Sequence, residues 1–337
     1  MIPDNVVENI LDSFRGKRVL VVGDLILDHY LEGKVDRISP EAPVPIVSLE
    51  SNQGVWVPGG AANVARNVRS LGGVPLIAGV AGEDSEGEIL SRLLADEGVD
   101  TGALILDPER PTTSKTRIMS DGHQLIRLDR EVVRGIPLKL MDGLLEAVEG
   151  MVHRIDAVVL EDYNKGVLIP EMVRDLIAIC SKKGIPVAVD PKIRNFFSFR
   201  GCTLFKPNRL ETSRALSMDI DSVERAREAG RILLDKLRSE AVLITLGGQG
   251  SVLCRSDAEP FHRPAVSRHV YDVSGAGDTV IAVMALALAS GLDLEEGVRV
   301  ANFAAAATIS EPGVYAVEPS DIIREVNRYS GREDIES

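Results

Sequence analysis

The stretch Asp272-Val273-Ser274-Gly275-Ala276-Gly277-Asp278-Thr279 carries the strongest indication of fold and chemistry in this chain. The apolar run 280–286 follows it directly and predicts a buried helix. The small residues 275–277 would let backbone N–H groups at the start of this helix turn toward an anion. Asp278 lies at the same helix start, so an anion hole would stand beside a potential general base, as phosphoryl transfer to a hydroxyl requires. The alternative is that Asp278 only caps the helix and the glycines only form a turn.

The composition limits which partners the chain can have. Its 337 residues are 45% hydrophobic and 26% charged, which is enough for one large domain or two ordinary ones with a real core. Aromatic residues make up only 4% and the net charge is −13, so we expect neither a nucleic-acid surface nor an anionic-membrane surface. An anionic substrate would need a local cluster of lysine and arginine within this acidic chain.

The cysteines and the N-terminal sequence indicate the cellular compartment of the protein. Cys180, Cys202 and Cys254 are scattered and form neither a disulfide framework nor a Cys-x-x-Cys metal pattern, which favours a reducing environment. The first residues lack a basic region followed by an apolar core, and no apolar run reaches the roughly 18 residues of a membrane span. We therefore expect a cytoplasmic protein.

Short apolar runs alternate with longer helical patterns along the chain. The strand candidates are 18–22, 157–160, 186–189, 203–205 and 241–246. The helix candidates are 62–71, 85–97, 170–183, 223–237 and 279–289. Their ends carry the expected punctuation, namely Asp84 and Pro170 at helix starts and Gly72, Gly98 and Gly184 just past helix ends. This alternation predicts an α/β fold with a parallel sheet covered by helices on both faces.

Two extended regions, about 31–57 and 112–129, have no helical partner. The first contains the runs 31–38, 44–49 and 55–57, with prolines between them. Extended segments off the main sheet have one face to bury, which suggests a lid over a cleft or a pairing surface for another subunit. We therefore predict a single domain over residues 1–337 with a small β lid.

Further motifs follow predicted strands or precede a helix. Asp24 and Asp28 come after the first strand, where ligands bind in open parallel sheets, although both could be solvated loop acids. Gly59 and Gly60 allow close backbone approach to a ligand, and Asn63 can donate to and accept from sugar hydroxyls. A glycine-rich turn with asparagine as a helix cap is the alternative.

Three more segments bring polar groups to the same edge of the sheet. Asp190-Pro191-Lys192 and Lys206-Pro207-Asn208-Arg209-Leu210-Glu211 each follow a strand and supply both acceptors and cations. Asn208 and Glu211 suit the outer shell of Mg²⁺, although Glu211 could be a solvated first-turn acid. The turn 247–250 could cradle a nucleotide or could only close a hairpin.

The order of these motifs resembles the ribokinase-like (PfkB) carbohydrate kinase family over nearly the whole chain. The motifs are Gly59-Gly60 with Asn63, Asn208 with Glu211, and Gly275-Ala276-Gly277-Asp278. The resemblance implies a three-layer sandwich with a central, mostly parallel sheet. It also implies ATP, Mg²⁺ and a sugar acceptor, with a monovalent cation such as K⁺ as a further candidate cofactor.

Finer segments look like those of D-glycero-β-D-manno-heptose-7-phosphate kinases. These segments are 36–46, 113–117, 124–127 and 162–166. They imply ATP-dependent phosphorylation of the C1 hydroxyl of the heptose 7-phosphate to the 1,7-bisphosphate, in ADP-heptose and lipopolysaccharide-precursor synthesis. The alternatives are a related kinase for ribose, fructose 6-phosphate, a ketodeoxy sugar acid or a nucleoside, and a non-catalytic sugar- or nucleotide-binding protein on the same scaffold.

Matched motif by motif, the resemblance implies a role for each candidate residue. Asp278 would be the general base, and the amides of Gly275, Ala276 and Gly277 would neutralise the transferring phosphoryl group. The substrate side would comprise Asp24, Asp28, Gly59, Gly60 and Asn63, with Arg127 and Lys165 on the 7-phosphate and Arg37 and Arg117 as weaker candidates. The ATP side would comprise Lys192, Asn208, Glu211, Thr245, Gly247, Gly250 and Asn302, with Asn208 and Glu211 arranging the waters of Mg²⁺.

Two features of the sequence depart from the resemblance, and the predicted lid indicates a second copy of the chain as a partner. Many of these proteins carry a further nucleotidyltransferase domain with a His-x-Gly-His motif, which this sequence does not contain, so we expect a kinase-only form. Glu161 precedes Asp162 where the resemblance implies a small residue, and it could alter the substrate end of the pocket. The apolar positions of the predicted lid indicate a homodimer that pairs through it.

Overall fold

The computed structural model describes residues 4–49, 54–266 and 270–336. In chain order, the strands are β1 (Arg18–Gly23), β2 (Leu25–Ile38), β3 (Pro45–Leu49), β4 (Val55–Gly60), β5 (Val74–Gly82), β6 (Asp100–Asp107), β7 (Ser114–Ser120), β8 (His123–Arg130), β9 (Ala157–Glu161), β10 (Val187–Asp190), β11 (Leu204–Phe205), β12 (Ala241–Thr245), β13 (Ser251–Arg255) and β14 (Ala258–Arg263). The α-helices are α1 (Asp4–Ser13), α2 (Ala61–Ser70), α3 (Ser85–Asp96), α4 (Leu138–Met151), α5 (Pro170–Lys182), α6 (Arg209–Leu216), α7 (Val223–Leu237), α8 (Ala276–Ala289), α9 (Leu294–Thr308) and α10 (Pro319–Glu336).

The main sheet has the strand order β14-β13-β12-β11-β10-β9-β1-β5-β6. Its strands from β12 to β6 pair in parallel, and β13 and β14 are added antiparallel at one edge. In β1, Val19 and Val21 face the core formed with α2, α8 and α9, whereas Leu20 and Val22 face the core formed with α4, α5 and α7. Because successive strand residues point to opposite faces, both faces are buried, and the three-layer α/β sandwich is confirmed.

A second sheet rises from the end of β1. Its order is β3-β2-β7-β8, with β4 pairing the first half of β2. Only Asp24 separates β1 from β2, so the chain passes directly from the central sheet into the second one. The sheet occupies the two regions for which a lid is predicted, but it begins at Leu25 rather than at residue 31.

The predicted elements are all present, with bounds that differ by a few residues. Asp84 caps α3 by accepting from the backbone N–H of Gly87 at 3.0 Å, and Pro170 begins α5. Helix α8 begins at Ala276 rather than at residue 279, because Gly275 adopts a left-handed φ of 80° and serves as its N-cap. Strands β5 and β6 were not predicted, since prolines, glycines and acidic residues interrupt their apolar pattern. Among the described residues, no helix has the length and apolarity needed to span a membrane.

Candidate active site

The polar side chains of the site meet at the carboxyl ends of the central strands. Asp24 follows β1, Glu161 ends β9, Asp190 ends β10, and Asp278 lies in the first turn of α8. All four are buried. In open parallel sheets this edge is where ligands bind, and Gly275, Gly277 and Asp278 at the start of α8 line the same pocket as Asp190.

Asp278 is held at both of its carboxylate oxygens. Asn63 Nδ2 donates to Oδ2 at 2.7 Å, and the Tyr163 hydroxyl donates to Oδ1 at 2.9 Å. Burial raises the pKa of Asp278 to about 6, while the bonds from Asn63 and Tyr163 oppose that rise and the charge of Asp190 adds to it. A carboxylate with a pKa close to neutrality, fixed in orientation by two donors, is suited to act as a general base.

The start of α8 forms an anion cradle. The first N–H groups of a helix have no partner within the helix, and the positive φ of Gly275 lets the chain turn sharply before them. A Cβ atom at Gly277 would lie 3.5 Å from Lys206 Nζ and 3.6 Å from Asp190 Oδ2, so the buried Lys206 faces the backbone of this turn. An anion placed here would meet both amides and an ammonium group.

Two lysines and two acids surround the cradle. Lys206 Nζ lies 2.8 Å from Asp190 Oδ2, and Lys192 Nζ lies 3.0 Å from Glu211 Oε1. Burial works against the charged form of Lys192, but Asp190 and Glu211 outweigh it and raise the pKa of Lys192. Asn208 and Glu211 form a reciprocal capping box at the start of α6, so Glu211 is a fixed cap rather than a solvated first-turn acid.

A mostly apolar cleft of about 240 Å³ opens beside the cradle. Four residues predicted to bind the nucleotide line it, namely Thr245, Gly247, Gly250 and Asn302. The turn at 247–249 closes the β12–β13 hairpin, which is confirmed, and it also lines the cleft, so nucleotide binding by this turn stays a prediction. Thr245, Gly247 and Gly277 also line the polar pocket that contains Asp278, and the two spaces are therefore contiguous.

Asp28 and the glycines of β4 lie together where β2 pairs with β4. Asp28 pairs with Arg117 of the neighbouring strand β7. A Cβ atom at Gly59 would overlap Asp28 Oδ2, and Gly60 has a φ of 57°, so both positions require glycine. Burial raises the pKa of Asp28, and the charge of Arg117 opposes that rise.

Asp24 differs from its expected role in sugar binding. Its carboxylate accepts three backbone N–H bonds, from Tyr163 at 2.8 Å, Lys165 at 2.8 Å and Val167 at 3.1 Å. Asp24 is thus occupied in shaping the loop that follows β9, and it is not free to hold a sugar hydroxyl. Asn63 is likewise fully buried, and its amide donor serves Asp278. Both residues position other groups of the site.

A group of cations lies on and beside the second sheet. Lys165 Nζ is 2.7 Å from Glu131, and Lys115 Nζ is 2.9 Å from Asp129 and 3.5 Å from Glu131. Arg127 also pairs with Asp129, but its side chain is 47% exposed. Arg37 is exposed farther along β2.

Sequence reasoning missed the roles of three residues at the site. Tyr163 and Lys115 stand within segments already noted for the family resemblance, so their position in those segments was the available signal. Lys206 begins the segment that contains Asn208, but nothing local indicates that its side chain is buried against Asp190. Pairing and burial of this kind depend on which strands become neighbours.

An anion cradle with a buried carboxylate beside it, continuous with an apolar cleft, defines the class of small-molecule kinases that transfer a phosphoryl group to a hydroxyl. Comparison with known families agrees with this class. The chain belongs to the pfkB family of carbohydrate kinases, whose family model matches residues 17–321. It is an ATP-dependent sugar kinase.

Curated relatives are similar over most of this chain. "Bifunctional protein HldE" from Caulobacter sp. (strain K31) is 43% identical over 323 residues, covering 95% of this chain and 65% of that protein. The protein of the same name from Geotalea uraniireducens (strain Rf4) is 39% identical over 320 residues, with the same coverage of 95% and 65%. The chain thus spans about 65% of the length of the curated relatives that it matches.

Solved structures share the fold at low sequence identity. Arabidopsis thaliana ribokinase complexed with ribose and ATP has a TM-score of 0.72 and 22% identity, covering 92% of this chain and 99% of that one. Escherichia coli phosphofructokinase-2 in complex with fructose-6-phosphate has a TM-score of 0.73 and 22% identity, covering 94% of this chain and 99% of that one. These likenesses establish the ribokinase-like fold.

Proposed function

We propose that this kinase phosphorylates the C1 hydroxyl of D-glycero-β-D-manno-heptose 7-phosphate, forming the 1,7-bisphosphate used in ADP-heptose synthesis. The observation that carries the proposal is the group of cations near Asp28. Residues 36–46, 113–117, 124–127 and 162–166, which resemble heptose 7-phosphate kinases, supply all four cations of this group and part of the lid. The similarity to proteins named HldE supports the same substrate.

The cation group suits a sugar that carries its own phosphate. Four cations, Lys115, Arg117, Arg127 and Lys165, share three carboxylates, those of Asp28, Asp129 and Glu131. The surplus is positive in a chain whose net charge is −13. A phosphate dianion would exchange some of these ion pairs for charge-assisted hydrogen bonds, which are stronger than neutral ones. A free sugar would have no need of this surplus.

In the proposed reaction, Asp278 accepts the proton of the anomeric hydroxyl. The oxygen of that hydroxyl forms a bond to the γ-phosphorus while the bond from that phosphorus to the β–γ bridging oxygen breaks, and ADP leaves. Tyr163 and Asn63 keep the carboxylate oriented. The amides at the start of α8 and Lys206 offset the charge on the transferring group, which is the main task in phosphoryl transfer.

Mg²⁺ fits the donor set at the mouth of the pocket. It prefers oxygen ligands and keeps several waters when it enters with a nucleotide. Asn208 is exposed there. Lys192 pairs with the carboxylates of both Glu211 and Asp190. We assign Asn208 and Glu211 to the waters of this cation, which would offset charge on the ATP phosphates.

We also propose that two copies pair through the second sheet and that the protein works in the cytoplasm. Strand β8 leaves Ile126 and Leu128, which lie on the same face of this sheet, exposed to solvent. A small sheet with an uncovered apolar face is unstable alone and gains stability by packing against another. The three buried cysteines are free thiols, as suits a reducing compartment.

A coupled ADP-release assay across a sugar panel tests the substrate. The panel holds heptose 7-phosphate, ribose, fructose 6-phosphate, a ketodeoxy sugar acid and a nucleoside, each with MgATP. We expect the highest kcat/KM with heptose 7-phosphate. A higher kcat/KM with another member would identify that compound as the substrate instead. No turnover with any member would argue for a binding protein.

Variants of the cation group test whether it binds the phosphate of the sugar. Lys165→Ala should raise the KM for the sugar phosphate by about tenfold or more, because a charge-assisted bond contributes about 1.5–3 kcal/mol. The KM for ATP should stay nearly unchanged. Arg130→Ala is the matched control, since Arg130 lies on β8 but pairs with Asp84 and Glu86. An equal rise in both KM values for Lys165→Ala would indicate a structural role instead.

A further inference from the structure

We propose that Glu161, Asp190 and Asp278 form a binding site for a divalent cation such as Mg²⁺ or Mn²⁺, separate from the cation that enters with ATP. One carboxylate oxygen from each residue lies within 4.8 Å of the others, and all three residues are buried. The inference goes beyond the proposed function and does not depend on which sugar is the substrate.

Glu161 is the observation that points to a ligand. It ends β9 between β1 and β10, its side chain is 0% exposed, and neither of its carboxylate oxygens has a hydrogen-bond partner among the described residues. Burying an ionised carboxylate without a partner is strongly unfavourable, so native proteins pair the group, bind a cation to it or keep it protonated. Glu161 is directed at Asp190 and Asp278, which are themselves acids.

The charges around Glu161 indicate the valence of the cation that this cluster would bind. Within the described residues, four carboxylates share this cluster, those of Glu161, Asp190, Glu211 and Asp278. Two ammonium groups face them, those of Lys192 and Lys206. When all four carboxylates are ionised, an excess of two negative charges remains in this cluster, and one divalent cation would neutralise it.

The geometry and chemistry of the ligands suit such a cation. Mg²⁺ binds oxygen at about 2.0–2.1 Å, so opposite ligands stand about 4.2 Å apart and neighbouring ones closer. A pair of oxygens at the 4.8 Å limit would have to close by about 0.6 Å to stand opposite each other on the ion. Carboxylate ligands of this type select Mg²⁺ or Mn²⁺ over softer metals. The remaining positions would be open to water or to a substrate oxygen.

Binding of Mn²⁺ to the full chain in the absence of nucleotide tests the proposal. Titration followed by the electron paramagnetic resonance signal of free Mn²⁺ should show about one bound ion per wild-type chain. Glu161→Gln removes the charge but keeps the size, and it should weaken this binding by at least about tenfold. Glu171→Gln, an exposed acid of α5, is the matched control and should bind like wild type.

Melting curves show whether each variant is folded and whether Mn²⁺ stabilises it. Mn²⁺ should raise the melting temperature of the wild type and of Glu171→Gln, but not that of Glu161→Gln, because a ligand stabilises only the state that binds it. If Glu161→Gln does not fold, Glu161→Ser takes its place in both measurements. Absence of Mn²⁺ binding to the nucleotide-free wild type would overturn the proposal. Binding by the folded Glu161 variant as tight as wild type would overturn it as well.

Discussion

At the scale of single residues, the chemistry of this kinase depends on how Asp278 is held. Its two donors come from different parts of the chain, Asn63 from α2 and Tyr163 from the loop after β9. Burial favours the neutral acid, and the two hydrogen bonds favour the charged base. The carboxylate therefore stays ionised at neutral pH while remaining basic enough to take a proton.

The direct prediction concerns Asp278→Asn. We expect turnover to fall by about 10²–10⁴-fold, the usual contribution of a positioned base, because an amide cannot accept the proton. ATP affinity, measured by calorimetry, should stay close to wild type. Asp257→Asn in the β13–β14 turn is the control, since Asp257 is exposed and lines neither the apolar cleft nor the pocket that contains Asp278. Turnover of Asp278→Asn within about a factor of two of wild type would exclude Asp278 as the base.

A second prediction at this scale concerns pH. Tyr163→Phe removes a bond that lowers the pKa of Asp278, so that pKa should rise above its value of about 6. The base must be deprotonated, and activity is lost as pH falls through its pKa, so the acidic limb of kcat/KM against pH should move to higher pH. An unmoved limb, or one that moves to lower pH, would show that Tyr163 does not tune the base.

At the scale of elements, the proposed reaction depends most on the start of α8. Gly275 turns the chain with a φ of 80°, and a Cβ atom there would lie 3.1 Å from Asn63 Nδ2. The helix itself is apolar over most of its length and is buried against α2 and α9, so its first turn is fixed relative to the sheet. A rigid helix start is what an anion cradle needs, because no rearrangement is then required during the reaction.

Two glycine variants separate the backbone effect from the site effect. Gly275→Ala and Gly291→Ala both place a side chain at positive φ, 80° and 69°, and should each lower the free energy of unfolding by about 1–2 kcal/mol. Only Gly275→Ala also presses on Asn63, since a Cβ atom at Gly291 meets nothing within 4 Å. We therefore expect turnover to fall for Gly275→Ala and to persist for Gly291→Ala. Chemical denaturation and the ADP-release assay measure the two effects, and an equal loss of turnover in both variants would contradict the assignment.

At the scale of the whole molecule, the second sheet determines the expected assembly. Sedimentation at micromolar protein should return a mass near twice 36.4 kDa. Leu128→Asp places a charge on the exposed apolar face and should shift the mass to that of the monomer, because an unpaired charge would be buried in the interface. Leu138→Asp, at an exposed apolar position in α4, is the control and should remain dimeric. A wild-type monomer with full activity would rule out the dimer.

Much of the fold follows from local patterns in the sequence. Asp84, Pro170 and the glycines after α2, α3 and α5 mark helix ends because caps and positive-φ turns depend only on near neighbours in the chain. The same locality applies to Gly275-Ala276-Gly277-Asp278, where the cradle and the acid lie within one turn of helix. Three of the four cleft-lining residues predicted to bind the nucleotide are similarly local, since Thr245, Gly247 and Gly250 lie at one hairpin turn.

What the sequence by itself determined is therefore the parallel α/β core, the helix start with Asp278, and the hairpin beside the apolar cleft. Only the tertiary structure decided that Asp24 is occupied by the loop after β9, that Lys115 joins the cations near Asp28, and that Glu161 has no partner beside Asp190 and Asp278. These facts depend on which distant strands become neighbours and in what register. A side chain's charge is written in the sequence, but its burial and its partners arise only when separate elements pack together.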